Sequence, residues 1–313
     1  MKNIKTKLIG KITRFTLKNA FIERTLCDLL SNTFIRDNLK LKVIAIGCCY
    51  VLNKPEIRIA NIGEYKLYAN IAEPSGISLY FFGFHYEPFA AFLVSKLVNQ
   101  GDTCIDVGAN IGSHTFVMAN STGSDGKVFA FEPQPKLQSL LQESIKLNHA
   151  DKFIVLDTRA LWNKSGQNLK FYLSQDPNNS GVSSLINHGF FVCEDDYIKV
   201  ETITLSDYFR EKRINKCNLI KIDVERAELE VLQGMIDLLE ARLIDYIVLE
   251  QFAGSESQNI LASVGYIGWF IDERKKTLGE IKQIEIEGCG NYLFVSPNLI
   301  NEFKSNYASL LEL

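Results

Sequence analysis

The chain of 313 residues is 46% hydrophobic and 23% charged, the balance of a globular protein long enough to bury a substantial core. Its net charge of −3 leaves no broad basic excess to meet phosphates, which argues against a nucleic-acid partner. Seven cysteines, an odd number with no Cys-x-x-Cys pair, point to reduced thiols and a cytoplasmic location rather than a disulfide framework.

The first 54 residues carry eleven Lys/Arg against three Asp/Glu, so the remainder is acidic. Lys2, Lys5, Lys7, Lys11, Arg14 and Lys18 interleave with Ile4, Leu8, Ile12 and Phe15, a spacing that predicts a basic amphipathic helix. No long apolar run precedes a small-residue cleavage site, as a secretory signal requires. Two readings follow: peripheral docking of residues 1–20 on an anionic membrane, or a helical appendage packed on the rest of the chain or on a second subunit. The second is the more ordinary use of such a helix. Residues 41–52 are apolar but fall short of the roughly twenty residues of a membrane span. Pro55 then marks a boundary. The expected organisation is a basic helical appendage, residues 1–55, followed by one α/β domain, residues 56–313.

Residues 56–80 read as extended segments with turns at Asn61-Ile62-Gly63 and Pro74-Ser75-Gly76. After Pro88, the residues Phe89, Phe92, Leu93, Leu97 and Val98 mark the buried side of a helix. The sequence from Gly101 to Gly112 is then decisive. Residues 103–107 favour a strand, with Asp106 near its end, and Gly108 and Gly112 bracket Ala109-Asn110-Ile111 before an apolar helical stretch around Phe116 and Met118. Such a strand, glycine turn and helix hold a nucleotide-like ligand at the carboxyl end of the strand. Residues 127–131 form a second strand, and Glu132 closes it twenty residues beyond Gly112, placed to accept hydrogen bonds from ribose hydroxyls. The middle glycine of a dinucleotide turn is absent. That disfavours NAD and favours an adenosine ligand without a pyrophosphate, of which S-adenosylmethionine is the obvious one.

Residues 136–148 read as a helix and residues 153–157 as a third strand, ending at Asp157. Asp157, or the backbone of residues 158–160, is a candidate for the adenine edge; a loop-capping role for Asp157 is equally open. Strands over residues 168–173 and 197–204 enclose a Ser/Asn/Gly-rich loop, residues 174–184, too polar for a core and suited to contacting substrate. A short helix opens at Leu205. A fourth strand spans 218–224, a helix 225–240 and a fifth strand 243–250. A helix over 258–264 and strands at 265–267 and 291–295 complete the chain. Alternating strands and helices give a doubly wound α/β sheet. His85, His114, His149 and His188 are scattered, so no metal site is expected.

Four stretches together resemble the FkbM family of class I methyltransferases. They are Asp106-Val107-Gly108-Ala109-Asn110-Ile111-Gly112, Phe131-Glu132-Pro133, residues 179–185 (Asn-Ser-Gly-Val-Ser-Ser-Leu) and residues 221–228 (Lys-Ile-Asp-Val-Glu-Arg-Ala-Glu). They follow the family's order and spacing over about residues 64–296. The resemblance implies a Rossmann-like class I methyltransferase sheet with an antiparallel seventh strand. It implies S-adenosylmethionine as cofactor, with Asp106, Gly108, Ala109, Asn110, Gly112, Glu132 and Pro133 around it. It also implies methyl transfer to a hydroxyl of a sugar, glycolipid or secondary metabolite, so the expected partner is a small-molecule or glycan acceptor.

In the last of these stretches Asp223 and Glu225 stand where a helix begins, and Glu228 falls on the apolar side with Val231, Leu232 and Met235. Helix capping and dipole complementation account for Asp223 and Glu225, and less well for Glu228. A hydroxyl acceptor needs the carboxylate of an acidic side chain to take its proton. Asp223, at a strand end facing the ligand crevice, is the first candidate and Glu228 the second. Arg226 stands where the FkbM signature has glycine. If that glycine gives access to substrate, Arg226 closes the space, and a non-catalytic binding module at a membrane surface becomes an alternative. A nicotinamide-dependent oxidoreductase is the other.

Overall fold

The computed structural model describes residues 17, 18, 22, 25, 55–83, 87–176, 179–189, 192–281 and 289–312. The basic helix expected in residues 1–20 falls almost wholly outside the described residues, and the apolar stretch 41–52 entirely so. Glu56 is already tied into the domain. Its N–H donates to Asn70 Oδ1 at 3.0 Å, and its carbonyl accepts from the Ile71 N–H at 2.9 Å.

Strands β1 (Ile57–Ile62) and β2 (Tyr65–Asn70) form an antiparallel hairpin. Leu67 and Ala69 are fully buried while Ile57 and Ile59 stay exposed, the alternation of a hairpin that covers a core with one face. The extended reading holds as far as Asn70. Beyond it the chain turns helical, with α1 (Pro74–Ile77) running into a π-helical turn, Ser78–Phe82. Ile77, Leu79, Phe81 and Phe82 are all buried, so this run shows no one-sided period for a sequence reading to find. Helix α2 (Pro88–Leu97) buries Phe89, Leu93 and Leu97, but Phe92 is exposed and stacks on Phe89 with ring centroids 6.0 Å apart.

Strand β3 (Thr103–Val107), α3 (Ser113–Thr122), β4 (Lys127–Phe131), α4 (Pro135–Leu147) and β5 (Ile154–Asp157) follow in the expected order. The pairings Val107↔Phe131 and Phe131↔Asp157 bring the three strand ends level. Strands β6 (Ala160–Leu161), β7 (Asn168–Ser174) and β8 (Val192–Ile203) then build a small separate sheet of order β6-β8-β7. Helix α5 (Leu205–Lys212) leads to β9 (Cys217–Ile222). The single helix expected over residues 225–240 is two short ones, α6 (Glu228–Gln233) and α7 (Ile236–Glu240). A Cβ at Gly234, between them, would lie 2.2 Å from the Trp162 carbonyl oxygen, so the chain passes that backbone too closely for an ordinary side chain. Strand β10 (Ile244–Phe252), α8 (Glu256–Ser263), β11 (Ile267–Asp272), β12 (Thr277–Glu280), β13 (Cys289–Val295) and α9 (Ile300–Asn306) complete the described domain.

The main sheet has the order β12-β11-β13-β10-β9-β3-β4-β5. Strands β5, β4, β3, β9 and β10 run parallel, and β13 lies antiparallel between β10 and β11, as the resemblance implies. Neighbouring residues of a strand feed opposite layers. Cys104 and Leu219 pack with α2, α3, α4 and the hairpin, whereas Ile105, Ile220 and Ile222 pack with α5, α6 and α8. Strand order reverses between β3 and β9, and the carboxyl ends of those strands open onto the crevice that such folds use for ligands. The fold is a doubly wound α/β sheet.

Candidate active site

The glycine turn after β3 meets the end of β9 at contact distance. Gly108 has φ of 78°, and a Cβ there would lie 1.8 Å from the Asp223 carbonyl oxygen. Glycine is therefore required by the opposing backbone before any ligand is considered. Glu132 braces the same turn. Its Oε2 accepts from the Asn110 N–H and its Oε1 from the Gln134 N–H, each at 2.8 Å. Burial pushes this carboxyl up to about 7, against the pull of the two N–H donors. Each carboxylate oxygen still has a lone pair to offer.

These residues line a cavity. Gly108, Asn110, Glu132, Pro133 and Gln134 form its polar side; Phe131, Leu137, Leu161, Phe171 and Leu185 form its apolar side. Gln134 Oε1 is buried with no hydrogen-bond partner among the described residues, the kind of orphan that a ligand hydroxyl or amine satisfies. The apolar wall comes largely from the small sheet and the loop of residues 179–185. That loop is pinned by Glu73, a residue without a role in the sequence reading. Glu73 is 4% exposed, accepts from Ser180 Oγ at 2.6 Å and from Asn70 Nδ2 at 2.7 Å, and lies 3.3 Å from Lys136 Nζ. Ser184 Oγ ties the loop's other end to the Glu225 carbonyl at 2.6 Å.

A second chamber of about 270 Å³ adjoins the first, sharing Gly108, Asn110, Asp223 and Glu225 with it. Its walls carry Glu87, Asp106, His114, Lys221, Asp223 and Glu250. Asp106 and Lys221 are paired across β3 and β9, and both are buried. Asp106 Oδ2 accepts from Thr115 Oγ1 at 2.6 Å, and burial raises its carboxyl above the usual range. Lys221 Nζ lies 2.7 Å from Asp223 Oδ2. Burial works against the ammonium, but the charges of Asp223, Glu87 and Asp106 outweigh it, so Lys221 stays charged.

Asp223 is hydrogen-bonded to Glu250, the neighbouring carboxyl on β10. Burial opposes the Asp223 charge, but Lys221 and the Glu250 hydrogen bond hold that carboxyl below its usual range. Glu250 moves the other way. The Asp223 charge and burial push it up to about 10, so Glu250 keeps the shared proton and donates it to Asp223. His114 is held well below the usual histidine range by burial and by Lys221, and its Nε2 lies 3.5 Å from Glu87 Oε2. A strand-end carboxylate kept charged on the wall of such a chamber can accept a proton from a bound hydroxyl.

A family model, the methyltransferase FkbM domain, matches residues 106–290. The chain belongs to the FkbM methyltransferase family. The cofactor of such a domain is S-adenosylmethionine, and the oxidoreductase reading falls away. The hexuronic acid methyltransferase AglP of Haloferax volcanii is 27% identical over 168 residues, covering 54% of this chain and 63% of that protein. The methyltransferase sdnD of Sordaria araneosa is 28% identical, covering 48% and 66%. The match thus spans less than two thirds of each relative. A solved S-adenosylmethionine-dependent methyltransferase of Agrobacterium tumefaciens shares 9% identity at a TM-score of 0.41, covering 77% of this chain and 70% of that one.

Several expected residues of the FkbM site sit elsewhere. Asp157 lines neither cavity, because Arg159 grips its carboxylate from Nη2 at 2.6 Å and Nε at 3.0 Å and passes the contact on to Glu211. The wall there comes from Ala160 and Leu161. Gly112 lies behind the turn as the residue preceding α3, and it too lines neither cavity. Ala109 lines the acidic chamber rather than the first cavity. Glu228 lies outside the chamber: its Oε1 accepts from the N–H groups of Val224 at 3.2 Å and Arg226 at 3.1 Å. It holds the turn that precedes α6.

That turn explains the signature glycine. Arg226 has φ of 76°, in the left-handed region where glycine is unstrained. Arg226 lines neither the cofactor cavity nor the acidic chamber, so it does not close the site; its guanidinium lies over the Phe252 ring, 5.3 Å from the centroid. One oxygen each of Asp223, Glu225 and Glu250 lie within 4.8 Å of one another, a grouping of the kind that holds a cation. The Lys221 ammonium already supplies that charge at 2.7 Å, and no metal is assigned.

Among the described residues no helix is long and apolar enough to cross a membrane.

Proposed function

We propose that this FkbM domain methylates a hydroxyl oxygen of a sugar, glycolipid or secondary metabolite, with Asp223 as the general base. The position of Asp223 carries the reading, since it forms part of the wall of both cavities. A group bound by the glycine turn and a hydroxyl in the acidic chamber therefore meet at this carboxylate.

S-adenosylmethionine, when bound, supplies a methyl group that already bears its leaving group. The chain's own residues bind and align. Glu132 would accept hydrogen bonds from the ribose hydroxyls, Gln134 would offer its unpartnered oxygen, and Phe171 and Leu185 would supply the apolar wall for the base. Asp223 takes the hydroxyl proton, while Lys221 and the protonated Glu250 keep it ionised for that purpose. Aligning the acceptor beside a poised base supplies most of what such a reaction needs from a protein.

A glycan acceptor draws support from the relative AglP, whose name gives it a hexuronic acid substrate. The acidic chamber and the net charge of −3 argue against nucleic acid. The test is isotopic: the protein is incubated with methyl-deuterated S-adenosylmethionine and a fractionated cell extract. Label should enter a small molecule or glycan and not RNA, and Asp223→Asn should abolish it. Label in RNA, or undiminished label with Asp223→Asn, would overturn the reading.

A further inference from the structure

A third cavity, of about 290 Å³, opens off the acidic chamber and shares Glu225 and Glu250 with it. It runs outward past Arg226, Gln251 and Phe252, and these three also line the open groove beyond, at Ser255 and Ser257. Anything whose hydroxyl reaches Asp223 from this side lays the rest of its body here. We propose that Arg226, Gln251 and Phe252 form an acceptor subsite that takes a neutral pyranose ring, an inference resting on the methyltransferase reading above.

Three observations converge. Phe252 ends β10 two residues beyond Glu250 and leaves 45% of its surface exposed, a large aromatic ring presented rather than packed away. Arg226 is held in a left-handed conformation at φ 76°, where the family signature has glycine. Backbone strain of this kind persists at functional sites, and here it sets a guanidinium on the Phe252 ring. Gln251 is 3% exposed; its Oε1 accepts from Ser255 Oγ at 2.7 Å, but its Nε2 has no partner among the described residues. Whichever way the amide is turned, one end awaits a ligand oxygen or hydroxyl.

The chemistry of the lining selects the occupant. The part of the Phe252 ring that the Arg226 guanidinium leaves exposed attracts the slightly positive C–H face of a sugar ring through its quadrupole. The guanidinium donors and the amide suit hydroxyl oxygens, and the carboxylates of Glu225 and Glu228 suit hydroxyl protons. A hydrocarbon chain would leave Gln251 and the carboxylates without partners. A carboxylated or phosphorylated group would face the acidic side chains of Glu225 and Glu228, against Arg226, whose guanidinium already lies over the Phe252 ring. The ring is therefore neutral.

The test is saturation-transfer NMR on the full chain with S-adenosylhomocysteine present, using methyl α-glucopyranoside, methyl β-galactopyranoside and methyl α-glucuronide as probes. The wild type should transfer saturation to a neutral glycoside, most strongly at the protons of one ring face. Phe252→Ala should abolish the effect. Arg226→Gly, which relieves the left-handed strain and so should fold at least as well, should weaken binding by about tenfold, the loss of hydrogen bonds from one charged donor. Both variants should bind S-adenosylhomocysteine as the wild type does. No transfer to either neutral glycoside, undiminished transfer in both variants, or preference for the glucuronide would overturn the subsite while the cofactor reading stands. Failure of S-adenosylhomocysteine to bind the wild type would overturn the methyltransferase reading, and the subsite with it.

Discussion

Asp223 and Glu250 stand side by side because the residues before them, Ile222 and Leu249, are paired in the parallel sheet. Two carboxyls placed together in a buried chamber cannot both ionise, and Lys221 on the Asp223 side decides which one does. The pair is a charged carboxylate with a protonated carboxyl donating to it.

This arrangement predicts different behaviour for the two acids. Asp223→Asn should lower turnover by roughly a hundredfold to ten-thousandfold, the worth of a general base, with little change in cofactor affinity. Glu250→Gln keeps a hydrogen-bond donor toward Asp223 and should retain most activity. Stability should separate them as well. Glu250 is raised from 4.5 to about 10, so its contribution is full below the unfolded value and is lost as pH rises toward the folded one. Melting temperature measured across that window should fall more steeply in the wild type than in Glu250→Gln. Parallel curves would show that Glu250 carries no proton in the folded state.

Glu132 braces the glycine turn and, on the proposed function, also binds ribose; its removal should show both. The sequence reading assigns it to ribose, but its oxygens also fix the Asn110 and Gln134 amides. Glu132→Ala should weaken S-adenosylmethionine binding by about 1–3 kcal/mol, the range for hydrogen bonds to a charged group. It should also lower the melting temperature of the ligand-free protein. Calorimetric titration and thermal denaturation read the two effects apart. A change in affinity with no change in ligand-free stability would leave Glu132 a ligand contact only.

The sheet was legible because its strands are short apolar runs ended by an acid or a glycine, and Asp106, Glu132 and Asp223 all carry that mark. Glu250 does not carry it, because β10 runs two residues further to Phe252. What also hid it is that its partner lies on another strand; pairing between β9 and β10 is a tertiary fact. Glu73 was hidden for the same reason, since nothing near it in the chain announces Ser180. Of the two roles open to Asp157, the structure shows loop capping, its Oδ1 accepting from the Arg159 N–H at 2.9 Å. It ends a strand as Asp106 nearly does, but Arg159, two residues on, captures it locally. The periodicity that puts Glu228 on the apolar side with Val231 and Leu232 holds within α6, where all three are buried, but its carboxylate is turned to the N–H groups of Val224 and Arg226.

The glycine turn offers a control within the same chain. Gly108 and Gly83 both have positive φ, 78° and 67°, but a Cβ at Gly83 meets nothing within 4 Å. Gly83→Ala should cost only the left-handed backbone term, roughly 1–3 kcal/mol. Alanine at Gly108 adds a collision with the Asp223 carbonyl, which the sheet cannot move aside, and should cost well over the roughly 1–3 kcal/mol of left-handed strain alone. Chemical denaturation of the two variants measures the difference. Equal losses would mean that β3 and β9 are not held as closely as the structure places them.

The Glu73 tether makes the loop of residues 179–185 part of the wall of the first cavity rather than a free surface loop. Glu73 Oε2 accepts from both Ser180 Oγ and the Ser180 N–H, at 2.6 and 3.3 Å, while Oε1 is held by Asn70 and Lys136. Glu73→Ala removes the acceptor and leaves Ser180 without its buried partner, so the loop should open more often while the sheet stays intact. Amide hydrogen exchange should quicken in residues 179–185 and remain unchanged in β3, β4 and β9. S-adenosylhomocysteine should then dissociate faster, because Ser180, Gly181, Ser183 and Leu185 all line the cavity that holds it. Exchange that quickens throughout the domain would make Glu73 a general stability residue. Unchanged exchange in the loop would show that Ser184, bonded to the Glu225 carbonyl, suffices to hold it closed.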